Sequence, residues 1–316
     1  MSTPSHFISC DWGTSNFRLR LVDTGSLQVL SDVKTDMGIK KRFQEFKAQH
    51  RLEQDHFFAS YLKEQIDKLD FAKDQDTIVL ASGMLSSSIG MIELPYATMP
   101  ITFTGAELKS ESIQLDEKLK MILVSGVRTD ADVMRGEEVQ AVGISDQLGQ
   151  HSRGILILPG THSKHIYFAD RRFEGFTTYM TGELFEILSK NSILATSLHP
   201  TEWDSSFQEV FLEGAKKGIA NHQMASLFSI RANSLIHNRS EFQNYYFLSG
   251  LLIGAELADL KERSETVYLA ATGANNELYK LALESFLPKK RLVCFESEIL
   301  ENALLNGQRK ILETYA

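Results

Sequence analysis

Residues 7–21, FISCDWGTSNFRLRL, carry the strongest information on the fold, because two β-prone runs flank a short polar turn. The turn, Gly13 to Asn16, consists of residue types that favour tight chain reversals. A second turn follows at Asp23 to Ser26, so the whole opening predicts a β-meander. We therefore expect the first turn to be a tight loop between two strands.

The same arrangement recurs halfway along the chain, at residues 154–170, GILILPGTHSKHIYFAD. Two apolar runs again flank a turn with glycine and hydroxyl side chains, and FEGFTTYM follows as a further strand. If two such hairpins face each other across a cleft, their amides and hydroxyls can hold a polyphosphate from both sides. The repeat predicts an α/β protein of two domains, 1–143 and 144–316.

The segments between and after the hairpins predict alternating helices and strands. TIVLASG (77–83) and MILVSG (121–126) are typical of short buried strands, and 86–105 between them is loop-like, as in segments that line clefts. Residues 42–71 have mainly helical spacing of their apolar side chains. Further helices are predicted from Gly136, from a capping residue at Thr181, from about Asn275 and from about Glu298, and further strands at TVYLAATG and RLVCFE.

Composition excludes several classes of protein. The 316 residues include 33 basic and 41 acidic side chains, and a net charge of −8 disfavours binding to nucleic acid. The most apolar stretch, FLSGLLIGAELADL, is interrupted by Glu256 and is too short to span a bilayer. The cysteines, Cys10 and Cys294, are far apart within apolar runs, so we expect small buried side chains and no disulfide framework. We expect a cytoplasmic protein with no membrane partner.

Acidic residues stand at two places in the sequence where a carboxylate could take part in ligand binding or catalysis. Asp11 ends a strand just before the first turn, where a carboxylate can hold hydrated Mg²⁺ beside phosphate or can simply cap turn amides. Glu137 and Glu138 open a predicted helix, whose N-terminal dipole stabilises their charged forms. Taken by themselves, they are explained as solvated first-turn acids.

The second turn, LPGTHSKH (158–165), suits phosphate more than metal. The spacing of a P-loop is absent, which disfavours a Walker-type NTPase. His162 and His165 stand three apart on a predicted strand and so face opposite sides, which disfavours a metal pair. The groups suited to β- and γ-phosphates are those of Gly160, Thr161, Ser163 and Lys164.

Several motifs in order resemble a known superfamily. DWGTSNFRLRL, LPGTHSK and ATGAN together resemble the actin, sugar-kinase and chaperone ATPase superfamily, in which two phosphate loops and an adenosine loop form the nucleotide site. More specifically, VMRGEEVQAVG, LPGTHSKH, MTGELFEIL and FLSGLLIGAEL resemble the bacterial 2-dehydro-3-deoxygalactonokinase family, over nearly the whole chain.

The resemblance implies two actin-like, ribonuclease H-like domains with a nucleotide and substrate cleft between them. The N-terminal domain would carry the substrate-side loops and the connecting helix, and the C-terminal domain the second phosphate loop and the adenosine loop. ATP and Mg²⁺ would serve phosphorylation of the 6-hydroxyl of 2-dehydro-3-deoxy-D-galactonate.

The resemblance also assigns expected roles to residues. The catalytic carboxylate would be Glu137, with Glu138 nearly as good a candidate and Asp130 the third choice. Asp11 would hold the metal, and the first phosphate loop would comprise Gly13, Thr14, Ser15 and Asn16. Gly273, Ala274 and Asn275 would bind adenosine. Independently of the resemblance, three arginines close in sequence to the presumed cleft loops, Arg18, Arg128 and Arg135, are suited either to the substrate carboxylate or to ordinary ion pairs. The further substrate candidates are Ser82, Gly83, Met84, Thr181 and Glu183.

Three other functions stay open at this point. The chain could be a kinase for another sugar acid, an actin-like ATPase switch without a sugar acceptor, or a catalytically silent sugar-binding relative. Both glycine-bearing turns together with Glu137 argue against the silent relative, and the switch usually needs a separate partner-binding module that the motifs do not indicate. The sequence leaves the oligomeric state open, with a homodimer as one expectation.

Overall fold

The structure is a computed structural model, and it describes four stretches of the chain: residues 4–49, 51–71, 77–149 and 153–315. Contacts between residues divide the described chain into two units. The first unit falls within Met1–Gln150, Asp170–Gly175 and Glu301–Ala316, and the second within His151–Ala169 and Phe176–Leu300. The last helix therefore joins the first unit from residue 301 onward.

The first unit is built on a mixed sheet. Its elements are β1 His6–Trp12, β2 Phe17–Asp23, β3 Val29–Thr35, α1 Ile39–Ala48, α2 Gln54–Ile66, β4 Thr77–Gly83, β5 Ala97–Thr98, β6 Ile101–Thr102, β7 Ser110–Gln114, β8 Leu119–Val124, β9 Val127–Arg128, β10 Val133–Met134 and α3 Glu137–Ile144. The strand order is β3-β2-β1-β4-β8-β7. Strand β1 pairs antiparallel with β2 and parallel with β4, so the predicted hairpin and both predicted buried strands are confirmed.

The two faces of β1 differ because its side chains alternate. Ile8, Cys10 and Trp12 belong to the apolar core of this unit, together with side chains of α2. The Trp12 ring lies 5.4 Å from that of Phe58, and its Nε1 donates a hydrogen bond to the Met37 carbonyl. Asp11 therefore belongs to the opposite face of the sheet.

The second unit repeats this topology. Its elements are β11 Arg153–Leu158, β12 Ser163–Ala169, β13 Arg172–Tyr179, α4 Thr181–Asn191, α5 Gln208–Ile219, α6 Gln223–His237, α7 Glu241–Leu257, β14 Thr266–Leu269, α8 Gly273–Glu284 and β15 Leu292–Cys294, although β13 belongs to the first unit as far as Gly175. The chain ends with α9 Ser297–Thr314, which belongs to the first unit from Glu301 onward. Strands β13-β12-β11-β14-β15 follow the same order as β3-β2-β1-β4-β8. A hairpin extended by parallel strands in this 3-2-1-4-5 order is the ribonuclease H-like arrangement, so the predicted α/β fold class is confirmed.

Helix α7 passes through the interior of the second unit. It begins with a capping box, in which Ser240 and Gln243 satisfy each other's backbone N–H groups. Its side chains Ile253 and Leu257, and Leu260 just beyond its end, are buried. None of the helices in the described stretches is long and apolar enough to cross a membrane.

Helices α3 and α9 meet through their backbones in the first unit. A Cβ atom added to Gly143 would lie 1.7 Å from the Ala303 carbonyl oxygen, and one added to Gly307 would lie 1.9 Å from that of Val139. No side chain fits at either glycine, so Gly143 in α3 and Gly307 in α9 allow the two helices to approach closely.

We expect Gly307→Ala to lower the free energy of unfolding by about 1–3 kcal/mol, because the added methyl group overpacks the helix contact. Urea unfolding followed by circular dichroism measures the change. Gly175→Ala is the matched control, since its added Cβ would find its nearest neighbour at 3.9 Å. Equal midpoints for the two variants would contradict direct contact between the helix backbones.

Candidate active site

The first hairpin turn is held against the start of α1. The Gly13 N–H donates to the Asn16 carbonyl at 2.9 Å, and the Gly13 and Thr14 carbonyls accept from the first backbone N–H groups of α1. The close approach requires glycine at Gly38, where a Cβ atom would lie 2.3 Å from the Ser15 carbonyl carbon. The side chains of Thr14, Ser15 and Asn16 remain exposed. The turn is thus rigid in its backbone and polar at its surface.

Asp11 lies at the foot of this turn beside two arginines. It is paired in register with Arg18 on β2 and with Ser82 on β4. Burial raises the pKa of Asp11, and the charges of Arg20 and Arg18 oppose that rise. Among the described residues, neither carboxylate oxygen of Asp11 receives a hydrogen bond, so its lone pairs can serve a ligand.

Arg20 is a functional candidate that the sequence analysis missed. Its side chain is 6% exposed, its Nε atom has no hydrogen-bond partner in the described part of the chain, and burial lowers its pKa. The alternation of FRLRL could have indicated it, because Arg18 and Arg20 share the sheet face of Asp11.

Two glycines bring the start of α3 to the ends of β1 and β4. Gly83 has φ +87° and Gly136 has φ +111°, a region that favours glycine. A Cβ on Gly136 would lie 3.4 Å from the Gly83 Cα, and one on Gly83 would lie 3.9 Å from the Asp11 Oδ1. The acidic helix start therefore lies near Asp11, with Gly83 between them.

The two acids at this helix start differ in accessibility. Glu138 is buried, and both of its carboxylate oxygens accept the Gly136 N–H, at 2.9 and 2.7 Å. Burial, reinforced by the neighbouring charge of Glu137, raises the pKa of Glu138 to about 8. Glu137 is half-buried, and its Oε2 accepts the Arg135 N–H at 3.2 Å. Asp130 lies elsewhere, exposed in the hairpin between β9 and β10.

The predicted substrate residues of the first unit fall into two groups. Arg135 is engaged, donating to the Ser86 hydroxyl at 2.6 Å and stacking on the Tyr96 ring at 4.3 Å. Ser82 is buried and accepts from Gln308, so its hydroxyl does not face solvent. Arg18 and Arg128 are exposed, whereas Gly83 is buried and Met84 is half-buried.

The second hairpin turn connects β11 to β12. Two of the predicted phosphate ligands, Ser163 and Lys164, point in opposite directions there. Gly160 and Thr161 are exposed at the turn. Lys164 is buried, and its Nζ donates to the His162 carbonyl at 3.0 Å, so the amine lies at the turn. Ser163 is fully buried, and its hydroxyl donates to Glu256 at 2.6 Å. Because successive strand side chains point to opposite faces, Ser163 points away from Lys164 and into the interior.

The start of α4 packs directly on this turn. A Cβ on Gly182 would lie 2.7 Å from the Gly160 carbonyl oxygen, and the Glu183 N–H donates to the Thr161 carbonyl at 3.1 Å. The Glu183 carboxylate also contacts His162 at 2.6 Å. The helix begins at Thr181 as predicted, but the Thr181 hydroxyl donates to Glu256 and does not cap the helix. Thr181 and Glu183 thus lie beside the second hairpin turn.

A cavity of about 720 Å³ in the second unit joins this turn to the predicted adenosine loop. Gly160 and Thr161 line one part of it, and Ala274 and Asn275 line another. Helix α8 begins at Gly273, two residues before the predicted start, with φ +57° and open space around an added Cβ. One cavity therefore collects residues that the sequence places more than a hundred positions apart.

Aromatic side chains, which no sequence motif indicates as part of a site, form a wall of this cavity. Trp203 lies 4.9 Å from Tyr246, and Phe185 lies 4.9 Å from Tyr245, measured between ring centroids. All four residues line the cavity. No motif marks them, because single aromatic residues in helices and loops are typical of ordinary packing.

Comparison with known proteins places these features in a family. The family model of 2-keto-3-deoxy-galactonokinase matches residues 11–306. DgoK1 of Rhizobium meliloti, provisionally named a 2-dehydro-3-deoxygalactonokinase, is 30% identical over 297 residues, covering 90% of this chain and 91% of that protein. The 2-dehydro-3-deoxygalactonokinase of Escherichia coli is 30% identical over 191 residues, covering 60% of this chain and 63% of that protein.

A solved structure agrees with this assignment. A crystal structure from Sinorhizobium meliloti, provisionally described as a 2-dehydro-3-deoxygalactonokinase, superimposes with a TM-score of 0.80 at 28% identity. The match covers 96% of this chain and 94% of that one. The family resemblance seen in the motifs is thereby confirmed, and this chain is a kinase that belongs to the 2-keto-3-deoxy-galactonokinase family.

Proposed function

We propose that this protein transfers the γ-phosphoryl group of ATP to the 6-hydroxyl of 2-dehydro-3-deoxy-D-galactonate. The observation that carries the proposal is the cavity of the second unit, which brings the Gly160–Thr161 turn together with Ala274 and Asn275. The names of the relatives supply the sugar acid and the kinase reaction, and the resemblance of the motifs to the family supplies ATP and the 6-hydroxyl. The cavity volume, about 720 Å³, lies within the usual range for small-molecule sites.

ATP would bind with its phosphates at the turn and its base toward the aromatic wall. The start of α4 lies against Gly160, and the N-terminal end of a helix favours negative charge. Lys164 adds an ammonium group at the same turn. Trp203 and the backbone at Ala274 offer the planar and close-fitting surfaces that a base and ribose need. Ser163 is not part of this proposal, since its hydroxyl is buried.

Mg²⁺ would bind at Asp11. The residues fit, because Mg²⁺ keeps most of its water ligands and takes one or two carboxylates, and the Asp11 oxygens accept no hydrogen bond within the described stretches. The exposed hydroxyls of Thr14 and Ser15 are available to metal-bound water or phosphate. When bound, the ion would neutralise charge on the phosphates.

Glu137 is the proposed general base. Its carboxylate is half-buried, whereas that of Glu138 is buried and turned back onto the Gly136 N–H. A base must reach the hydroxyl whose proton it accepts, so accessibility favours Glu137. Asp130 stays a weaker candidate, because it lies outside the helix start that approaches Asp11.

Arg18 and Arg128 are the proposed partners of the substrate carboxylate. Both are exposed and belong to the unit that carries Glu137, and an arginine can bind a carboxylate through two parallel hydrogen bonds. The engagement of Arg135 with Ser86 and Tyr96 gives it a different proposed role, which is to hold the loop that follows β4. The proposal includes a cytoplasmic location, where ATP is made.

The first prediction from the proposed function concerns the general base. Glu137→Gln should lose phosphoryl transfer by about 10²- to 10⁴-fold while the Kd for ATP stays near wild type, because the amide keeps the shape of the site but accepts no proton. Steady-state kinetics and calorimetric binding of ATP measure the two quantities. Asp130→Asn is the control, expected to remain active. An active Glu137→Gln enzyme would contradict the assignment.

The second prediction concerns pH and stability. Between the ordinary glutamate pKa of 4.5 and the folded value of about 8, native Glu138 keeps a proton that the unfolded chain has lost. Each pH unit in this window then lowers the free energy of unfolding by about 1.4 kcal/mol. Glu138→Gln removes this contribution, so the stability of the variant relative to wild type should rise from pH 5 to 8. Parallel profiles in urea unfolding would show that Glu138 is ionised throughout.

The third prediction concerns the acceptor. The kcat/KM for the sugar acid should be roughly tenfold or more above that for an analogue without the carboxylate. The reason is that loss of a hydrogen bond to a charged group costs about 1.5–3 kcal/mol. Arg18→Ala and Arg128→Ala, measured side by side, identify the arginine whose loss removes this preference. Equal use of both sugars would refute the sugar-acid assignment, and ATP hydrolysis independent of every acceptor would favour the ATPase switch.

A further inference from the structure

Glu256 of helix α7 is a buried carboxylate that the proposed chemistry does not use. It is 2% exposed, and both of its oxygens accept hydrogen bonds. Oε1 accepts from the Ser163 hydroxyl at 2.6 Å and pairs with His165 Nε2 at 3.0 Å. Oε2 accepts from the Tyr279 hydroxyl at 2.7 Å and from the Thr181 hydroxyl. Four side chains from three other elements therefore meet on one carboxylate.

The charge state of this cluster follows from its contacts. Burial alone would raise the pKa of Glu256, but the hydrogen bond and charge of His165 and the hydroxyls of Ser163 and Thr181 hold the pKa below its ordinary value. Burial and the nearby carboxylate raise the pKa of Tyr279 well above its ordinary value. Glu256 is thus ionised and acts only as an acceptor, so all its partners donate.

The partners of Glu256 lie in the elements that form the candidate nucleotide cavity. Ser163 is the first residue of β12, directly after the phosphate turn. Thr181 is the first residue of α4, whose next residue packs on that turn. Tyr279 lies in α8, one turn beyond Asn275. Thr181 and Tyr279 line the cavity, whereas Ser163 and Glu256 are not among its lining residues.

We infer that Glu256 is a positioning residue for the nucleotide. Its hydrogen bonds hold the phosphate turn, the start of α4 and the adenosine helix α8 at fixed distances from one another. The inference rests on the proposed binding of ATP in this cavity. A rigid link between the two ends of the cavity matters because a nucleotide must reach both at once, and ordering them only upon binding would cost affinity. Glu256 does this without touching the ligand.

Glu256→Gln tests the inference. One carboxylate oxygen becomes an NH₂ group, which donates hydrogen bonds and cannot accept those of the surrounding side chains. The Kd and KM for ATP should therefore rise about tenfold or more, as for the loss of a hydrogen bond to a charged group. The KM for the sugar acid should change much less. Calorimetry with ATP and magnesium, and kinetics with each substrate varied in turn, provide these values.

Ser163→Ala keeps the test decisive if Glu256→Gln does not fold. This substitution removes one hydrogen-bond donor to Glu256, at a residue outside the cavity lining. It should also raise the Kd for ATP, by a smaller factor than Glu256→Gln. Asn244→Ala is the matched structural control on the same helix: Asn244 is fully buried and donates to the Ser197 and Ile230 carbonyls. It should lower the unfolding midpoint and leave the Kd for ATP unchanged.

The outcomes separate this inference from the proposed function. Loss of stability in Glu256→Gln and Ser163→Ala with an unchanged Kd for ATP, as in Asn244→Ala, would overturn the positioning role. If wild-type protein binds no ATP at all, the proposed function fails, and the inference fails with it. A raised Kd for ATP together with an equally raised KM for the sugar acid would also overturn the inference, because the effect would not be specific to the nucleotide.

Discussion

Direct packing of backbone on backbone where a hairpin turn meets a helix start is the constraint on which both candidate sites depend. In the first unit a Cβ on Gly38 would lie 2.3 Å from the Ser15 carbonyl carbon, and in the second a Cβ on Gly182 would lie 2.7 Å from the Gly160 oxygen. Each contact leaves room for glycine alone. Because the turn cannot move away from the helix without losing this packing, its amides and side chains stay in place at the end of the sheet, beside the helix dipole.

Much of the fold could be predicted from local pattern. Tight turns with glycine and hydroxyl residues, β-prone runs and an acidic helix start are local features, so the strands at 77–83 and 119–124 and the helix from Glu137 agree with the sequence to within a residue or two. The paired strand orders follow from the repeat of the hairpin. Helix α8 begins at Gly273, two residues before its predicted start at about Asn275.

The site was less predictable because its contacts are distant in sequence. Motifs locate Asp11 and the Gly160 turn, but no local pattern shows that Ser163 and Glu256, which are 93 positions apart, share a hydrogen bond. In sequence, Glu256 is only an interruption of an apolar helix. Its partners became evident only when tertiary structure brought four donors around it, and the same holds for the aromatic wall containing Trp203.

In each hairpin turn, backbone groups make the anchoring contacts, whereas side chains form the exposed surface. The Gly13 and Thr14 carbonyls hold the first turn, and the Thr161 carbonyl holds the second, whereas the side chains of Ser15 and His162 are exposed. Main-chain anchors are common to every residue type except proline at the donor position. Substitution of the exposed side chains would therefore alter the surface chemistry of a turn with little effect on folding.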